Sequence, residues 1–122
     1  MKSRDTLIRL KRFQVEEKRR QVRQIELMAA EFTRMIMELD REIANEEKRT
    51  GISDPTHFAY PTYARAAAQR RDNLRSSIAG LAEKIEDAKA ALGDAQAELQ
   101  KYEALDGREK APERGAEAVA RV

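Results

Sequence analysis

The chain contains no cysteine and no tryptophan, one histidine, three phenylalanines and three tyrosines. Each shortage removes a class of protein. Without cysteine there is no disulfide framework, no thiolate nucleophile and no Cys-based zinc site, a pattern at home in a reducing compartment. Aromatics make up 5% of residues, too few bulky rings to fill a thick globular core. No apolar run reaches the roughly 18 residues needed to span a bilayer, and the charged opening lacks the apolar stretch of a secretory signal. A cytoplasmic protein without a transmembrane segment is therefore expected. A lone histidine, His57, has no second histidine with which to build a metal site or a proton relay, and there is no glycine-rich phosphate loop. Glu42 and Glu46 lie one helical turn apart, but such paired acids on a charged helix are ordinarily a solvated surface. The chain is not expected to be an enzyme: no catalytic, cofactor-binding or metal-ligating residue is assigned.

What the sequence does have is charge and small or aliphatic side chains. Lys, Arg, Asp and Glu account for 38% of the 122 residues. Together with Ala and Leu this is the composition of long helices carrying a narrow apolar stripe. The net charge of +2 conceals an uneven distribution. Residues 1–23 hold nine Lys or Arg against three acids, residues 24–60 hold four against eight, and residues 61–122 balance at eleven each. A basic end and an acidic middle suit an oriented protein that meets charged partner surfaces.

The apolar spacing points to the architecture. Ile8, Val15, Val22, Ala29, Ile36 and Ile43 recur every seven residues as heptad a positions. The d positions are Lys11, Lys18, Ile25, Phe32, Leu39 and Glu46, so the seam is complete from Val22 to Ile43 and half-polar before it. A second ladder runs through Leu74, Leu81, Ala88, Ala95 and Tyr102, interleaved with Ile78, Ile85, Leu92 and Leu99, and continues weakly upstream through Ala67 and Arg71. A repeat of 3.5 sustained over five heptads marks a coiled-coil strand.

Between the ladders, Gly51 is suited to close a helix whose last turn carries Lys48 and Arg49. Asp54-Pro55 reads as a cap followed by one short helical turn, and Pro61 marks the start of the next helix. Pairing the two ladders in opposite directions requires facing residue numbers to share one sum, and 110 satisfies the whole chain. Ile43 then meets Ala67, Ile36 meets Leu74, Ile25 meets Ile85, Val22 meets Ala88 and Ile8 meets Tyr102. The fold expected is all-α, a long two-helix antiparallel coiled-coil hairpin with a disordered C-terminal tail. Its parts are a helix over 5–49, a turn over 50–61, a helix over 62–105 and a flexible charged tail over 106–122. Lys11 and Lys18 would lay their stems over the seam with the charge outside. The seam should be strongest between Ile25 and Ile43. Gly80 and Gly93 each cost about 1 kcal/mol relative to Ala inside the second helix.

Some apolar residues do not belong to the seam. Met28 and Met35 take g positions that broaden the stripe. Leu10, Phe13 and Leu27 fall at c and f positions and point away from the second helix. Leu10 and Phe13 stand among Arg9, Lys11 and Arg12, an apolar anchor in a basic field that suits a protein partner. Phe58, Tyr60 and Tyr63 gather at the turn, where they either cap the coiled coil or form a recognition tip. The basic stretch from Arg9 to Arg23 also invites a nucleic-acid reading. Val15 and Val22 keep the seam in phase through it and Glu16 and Glu17 interrupt it, so nucleic acid is not expected.

The opening Ser3-Arg4-Asp5-Thr6-Leu7-Ile8-Arg9-Leu10-Lys11-Arg12-Phe13, the following Glu17-Lys18-Arg19-Arg20, and the turn Gly51-Ile52-Ser53-Asp54-Pro55 through Phe58-Ala59-Tyr60-Pro61-Thr62-Tyr63 resemble the FliJ family of flagellar export proteins, in its alphaproteobacterial form. The resemblance covers about residues 1–105. It implies a component of the flagellar type III protein export apparatus at the cytoplasmic face of the basal body, associated with the membrane only through its partners. Those partners are the hexameric export ATPase FliI, whose ring assembly the family promotes, the export gate FlhA, and export chaperones. The family has no catalytic residues to carry over. The contact candidates come from this sequence: Leu10, Arg12, Phe13 and Arg20 for the ATPase side, and Phe58, Tyr60 and Tyr63 for the gate side. The other reading left open is a general scaffold or nucleic-acid-binding coiled coil.

Overall fold

Fifty residues without a glycine or proline open the chain, and in the computed structural model all but the first form one helix, α1 (Lys2–Thr50). A second helix, α2, spans Thr62–Ala120. The structure describes the backbone of residues 2–120 and the side chains of residues 3–108. There is no strand among the described residues, and the two long helices pack against each other as an antiparallel coiled-coil hairpin.

The end of α1 follows from local chemistry. Asp5 in its first turn and Lys48 and Arg49 in its last complement the helix dipole. Gly51 adopts φ +75° and donates its N–H to the Glu47 carbonyl at 2.8 Å. This is the left-handed cap that satisfies one orphan carbonyl, and a side chain there would be strained. The Thr50 hydroxyl donates to the Glu46 carbonyl at 3.1 Å and accepts the Ile52 N–H at 3.3 Å.

The connection differs from the short helical turn expected after Asp54. Two reverse turns follow one another instead, with His57 N–H donating to the Asp54 carbonyl at 3.1 Å and Tyr60 N–H to the His57 carbonyl at 3.0 Å. The Asp54 side chain competes for the backbone, accepting the Thr56 N–H at 2.9 Å and the Thr56 hydroxyl at 2.8 Å. Those two bonds hold the Asp54 carboxyl below its ordinary range. The Pro61 carbonyl takes the first bond of α2, from Arg65 at 3.1 Å.

The chain divides into two compact units, Gln24–Glu86 and a second made of Met1–Arg23 with Asp87–Val122. In the first, Leu39, Ile43, Tyr60, Ala64 and Ala67 form the buried core, with Ile52, Ala68 and Leu74 packed against it. Ala64 is fully buried and allows the helix backbones to approach. Burying a side chain the size of Ile43 contributes roughly 1.5–3 kcal/mol. In the second unit, Ile8, Val15 and Val22 are the buried residues among those described, and Ala88, Leu92, Ala95, Leu99 and Tyr102 are half-buried opposite them in the register.

Every a and d position read from the sequence is buried or half-buried in the structure. The strength of the seam is distributed differently. Ile25, Phe32 and Ile36, expected in its strongest stretch, are only half-buried. Two helices supply no third wall, so a large side chain keeps an edge in water. Burial deepens at Leu39 and Ile43, where the turn supplies that wall through Tyr60. Helix α2 also continues past Leu105 through Asp106, Gly107 and Arg108, where a Cβ on Gly107 would meet nothing within 4 Å. The rest of the expected flexible tail, residues 109–122, lies outside the described side chains. No helix of the described residues is long and apolar enough to cross a membrane.

Candidate functional site

Near the turn, one side-chain bond ties the connection to α1 and two tie the helices together. Tyr60 donates its hydroxyl to Glu47 at 2.7 Å, Tyr63 donates to Glu42 at 3.0 Å, and the Arg71 guanidinium meets Asp40 at 3.1 Å. The carboxylates raise the ionisation of both tyrosines above the ordinary phenol value, chiefly through these hydrogen bonds. Asp40 similarly raises that of Arg71. Arg65 lies over the Tyr60 ring at 5.8 Å.

The three turn aromatics therefore separate. Tyr60 is 6% exposed and belongs to the core, where its ring caps the coiled coil, the first of the two roles open to the turn aromatics. Phe58 is 94% exposed and Tyr63 57% exposed. The His57 ring stacks on Phe58 with centroids 4.8 Å apart, while its Nδ1 accepts the Ala59 N–H at 3.0 Å. His57 thus shapes the exposed tip. A signal for Tyr60 was present: counting back from Ala67 by three and then four reaches Ala64 and Tyr60, which extends the α2 ladder into the turn.

On the outer face of α1, Leu10 and Phe13 are about half exposed, at 49% and 58%. Arg12 reaches Glu103 at 3.9 Å with both side chains largely in solvent, and Arg20 pairs with Glu17 at 3.2 Å. Such exposed pairs are weakly held, so both guanidinium groups are available to a stronger acidic partner. Lys11 behaves otherwise. Its stem lies in the seam and its ammonium meets Glu98 at 3.3 Å and the Tyr102 ring at 5.4 Å. It therefore belongs to the hairpin.

Exposed large apolar side chains are concentrated on one helix. Leu10, Phe13, Leu27, Met28 and Met37 lie on α1, against Tyr63 and Leu105 on α2. Glu42 and Glu46 turn to different partners, Tyr63 and Arg49. Among the described residues, no group of three or more His, Asp or Glu side chains is placed to hold a metal. Open grooves among the described residues include one near the N-terminal end of α1 beside Ser3, Leu7 and Tyr102, and one near the turn, of about 260 Å³. No known protein family, curated protein or solved structure matches the chain.

Proposed function

We propose that the protein is a non-enzymatic, partner-binding component of the bacterial flagellar type III export apparatus. In this reading it is a coiled-coil stalk that binds the export ATPase FliI, promotes its ring assembly, and couples it to the export gate FlhA and to export chaperones. The observation that carries the reading is the distribution of exposed apolar groups: among the described residues they gather on α1 and at the turn. Leu10, Arg12, Phe13 and Arg20 form the ATPase-side surface, and Phe58 and Tyr63 the gate-side tip. The basic opening and the turn sequence support the family assignment; the heptads support only a coiled coil.

On this proposal the protein acts at the cytoplasmic face of the flagellar basal body and reaches the membrane only through its partners. A pull-down with the export ATPase tests it. Binding that raises ATP turnover is expected. No binding together with unchanged turnover rejects the export reading and leaves a general scaffold. Substituting Arg12 and Phe13 by alanine should weaken capture at least ten-fold while helicity is preserved, because neither side chain packs in the seam.

A further inference from the structure

The single histidine of the chain, His57, stands at the junction of the two reverse turns. Its N–H closes the first turn on the Asp54 carbonyl, and its own carbonyl closes the second by accepting the Tyr60 N–H. The ring has separate contacts. Its Nδ1 accepts the Ala59 N–H at 3.0 Å, and a histidine ring that accepts at one nitrogen is neutral and carries its proton on the other, here Nε2. One face of the ring stacks on Phe58, with the two planes 21° apart. Phe58 is almost wholly exposed, so the imidazole beside it is what gives this side chain its direction. The charged group of the connection that bears on the ring is Asp54. Its Oδ1 takes both bonds from Thr56, at 2.9 and 2.8 Å, so Oδ2 can receive another donor. From the adjoining helices, Glu47 of α1 and Arg65 and Arg71 of α2 act on Tyr60.

We propose that His57 is a protonation-operated latch on the exposed tip, holding Phe58 and Ala59 in one conformation while the ring is neutral and releasing them when it gains a proton. A proton added at Nδ1 turns the acceptor into a donor and sets it against the Ala59 N–H, so that bond breaks. Oδ2 of Asp54 then offers the imidazolium a charge-assisted bond, and turning towards it takes the ring off Phe58. The two turn-closing bonds are made by the backbone of His57, so they survive the change. What is freed is the Phe58–Ala59 step alone. Histidine side chains change charge between about pH 5 and 8, which is where the latch works. A side chain already held in one direction loses less freedom on binding than a loose one. A partner that receives Phe58 is therefore held more tightly at the upper end of that range than at the lower. The inference goes beyond the export proposal and stands without it, since it concerns only how the connection holds its own aromatic.

The test is nuclear magnetic resonance on the full chain, labelled with nitrogen-15, at about pH 8 and about pH 5. At the higher pH the His57 Nδ1 should give the shift of a bare acceptor nitrogen and Nε2 that of a protonated one. At the lower pH the Ala59 amide should lose about ten-fold in protection against hydrogen exchange, after correction for the intrinsic pH dependence of exchange. The Tyr60 amide, bonded to the His57 carbonyl, should change by less than about two-fold on the same scale. The His57 side chain is exposed, so His57→Phe should leave the melting temperature unchanged. That variant keeps a ring to stack but has no acceptor and no proton to gain, and its Ala59 amide should be unprotected at both pH values. A proton on Nδ1 at the higher pH, or equal Ala59 protection at both, overturns the proposal. So does the same pH-dependent loss in His57→Phe, which would assign the change to Asp54. A parallel loss at Tyr60 overturns it as well, because the whole connection would then be loosening.

Discussion

The two units use the same heptad grammar with different vocabularies. In the unit spanning Gln24–Glu86, the core joins aliphatic side chains to a tyrosine from the turn that bonds to α1, and two further polar bonds cross between the helices. In the unit made of Met1–Arg23 and Asp87–Val122, the three buried aliphatics among the described residues alternate with lysines, and the helices are joined by the Lys11–Glu98 and Arg12–Glu103 ion pairs. A charge laid over a seam costs little because its head stays in water, but it adds less than a leucine would. The comparison teaches that one continuous register can carry unequal local stability, with the better-held unit beside the turn.

The most severe test is truncation within the deeper core. Ile43→Ala should lower unfolding free energy by about 2–4 kcal/mol, measured by urea titration followed by circular dichroism. Ile8→Ala should cost clearly less, because the neighbouring seam residue is Lys11; an equal loss would remove the distinction. Gly51→Ala should cost roughly 1–2 kcal/mol, since φ of +75° forces a left-handed side-chain-bearing residue. Tyr60→Phe should cost about 1 kcal/mol through the lost bond to Glu47. Because folding raises the ionisation point of Tyr60, its contribution should be complete below about pH 10 and fade as pH rises through the folded value. Asp54 works in the opposite sense: its lowered carboxyl stabilises the turn above the usual carboxylate range and loses that effect as pH falls through its folded value. A pH series of Asp54→Asn against the parent should therefore converge in acid. The finest measurement is hydrogen exchange, where amides of residues 8–18 should exchange faster than those of 30–43; the reverse order would contradict the ranking of the units.

The repetitive part of this fold was readable because a heptad error anywhere would have spoiled the agreement of many residues. Val15 and Leu81 are both buried where the register places them. The turn offered no such redundancy. Whether Asp54 starts a helix or two reverse turns depends on which backbone groups its carboxylate captures, and that competition has no period. Which of its two readings Tyr60 takes was open for a related reason: an aromatic beside prolines suits an exposed tip or a cap until its hydroxyl is seen to reach Glu47, thirteen positions earlier. For the candidate surfaces, the outward direction of Leu10 and Phe13 was legible from helical phase. The groove near the turn was not, because it arises from small residues on a different helix.

Gly80 and Gly93 lie inside α2 where an added Cβ would meet only open space, so packing does not require either of them. Replacing each by alanine should strengthen the helix by about 1 kcal/mol. Each glycine keeps its own stretch of α2 easier to bend than alanine would. A Gly80→Ala, Gly93→Ala double variant would therefore be a stiffened version of the same protein, and comparing its activity with the parent's asks whether the work it does depends on compliance or on surface alone.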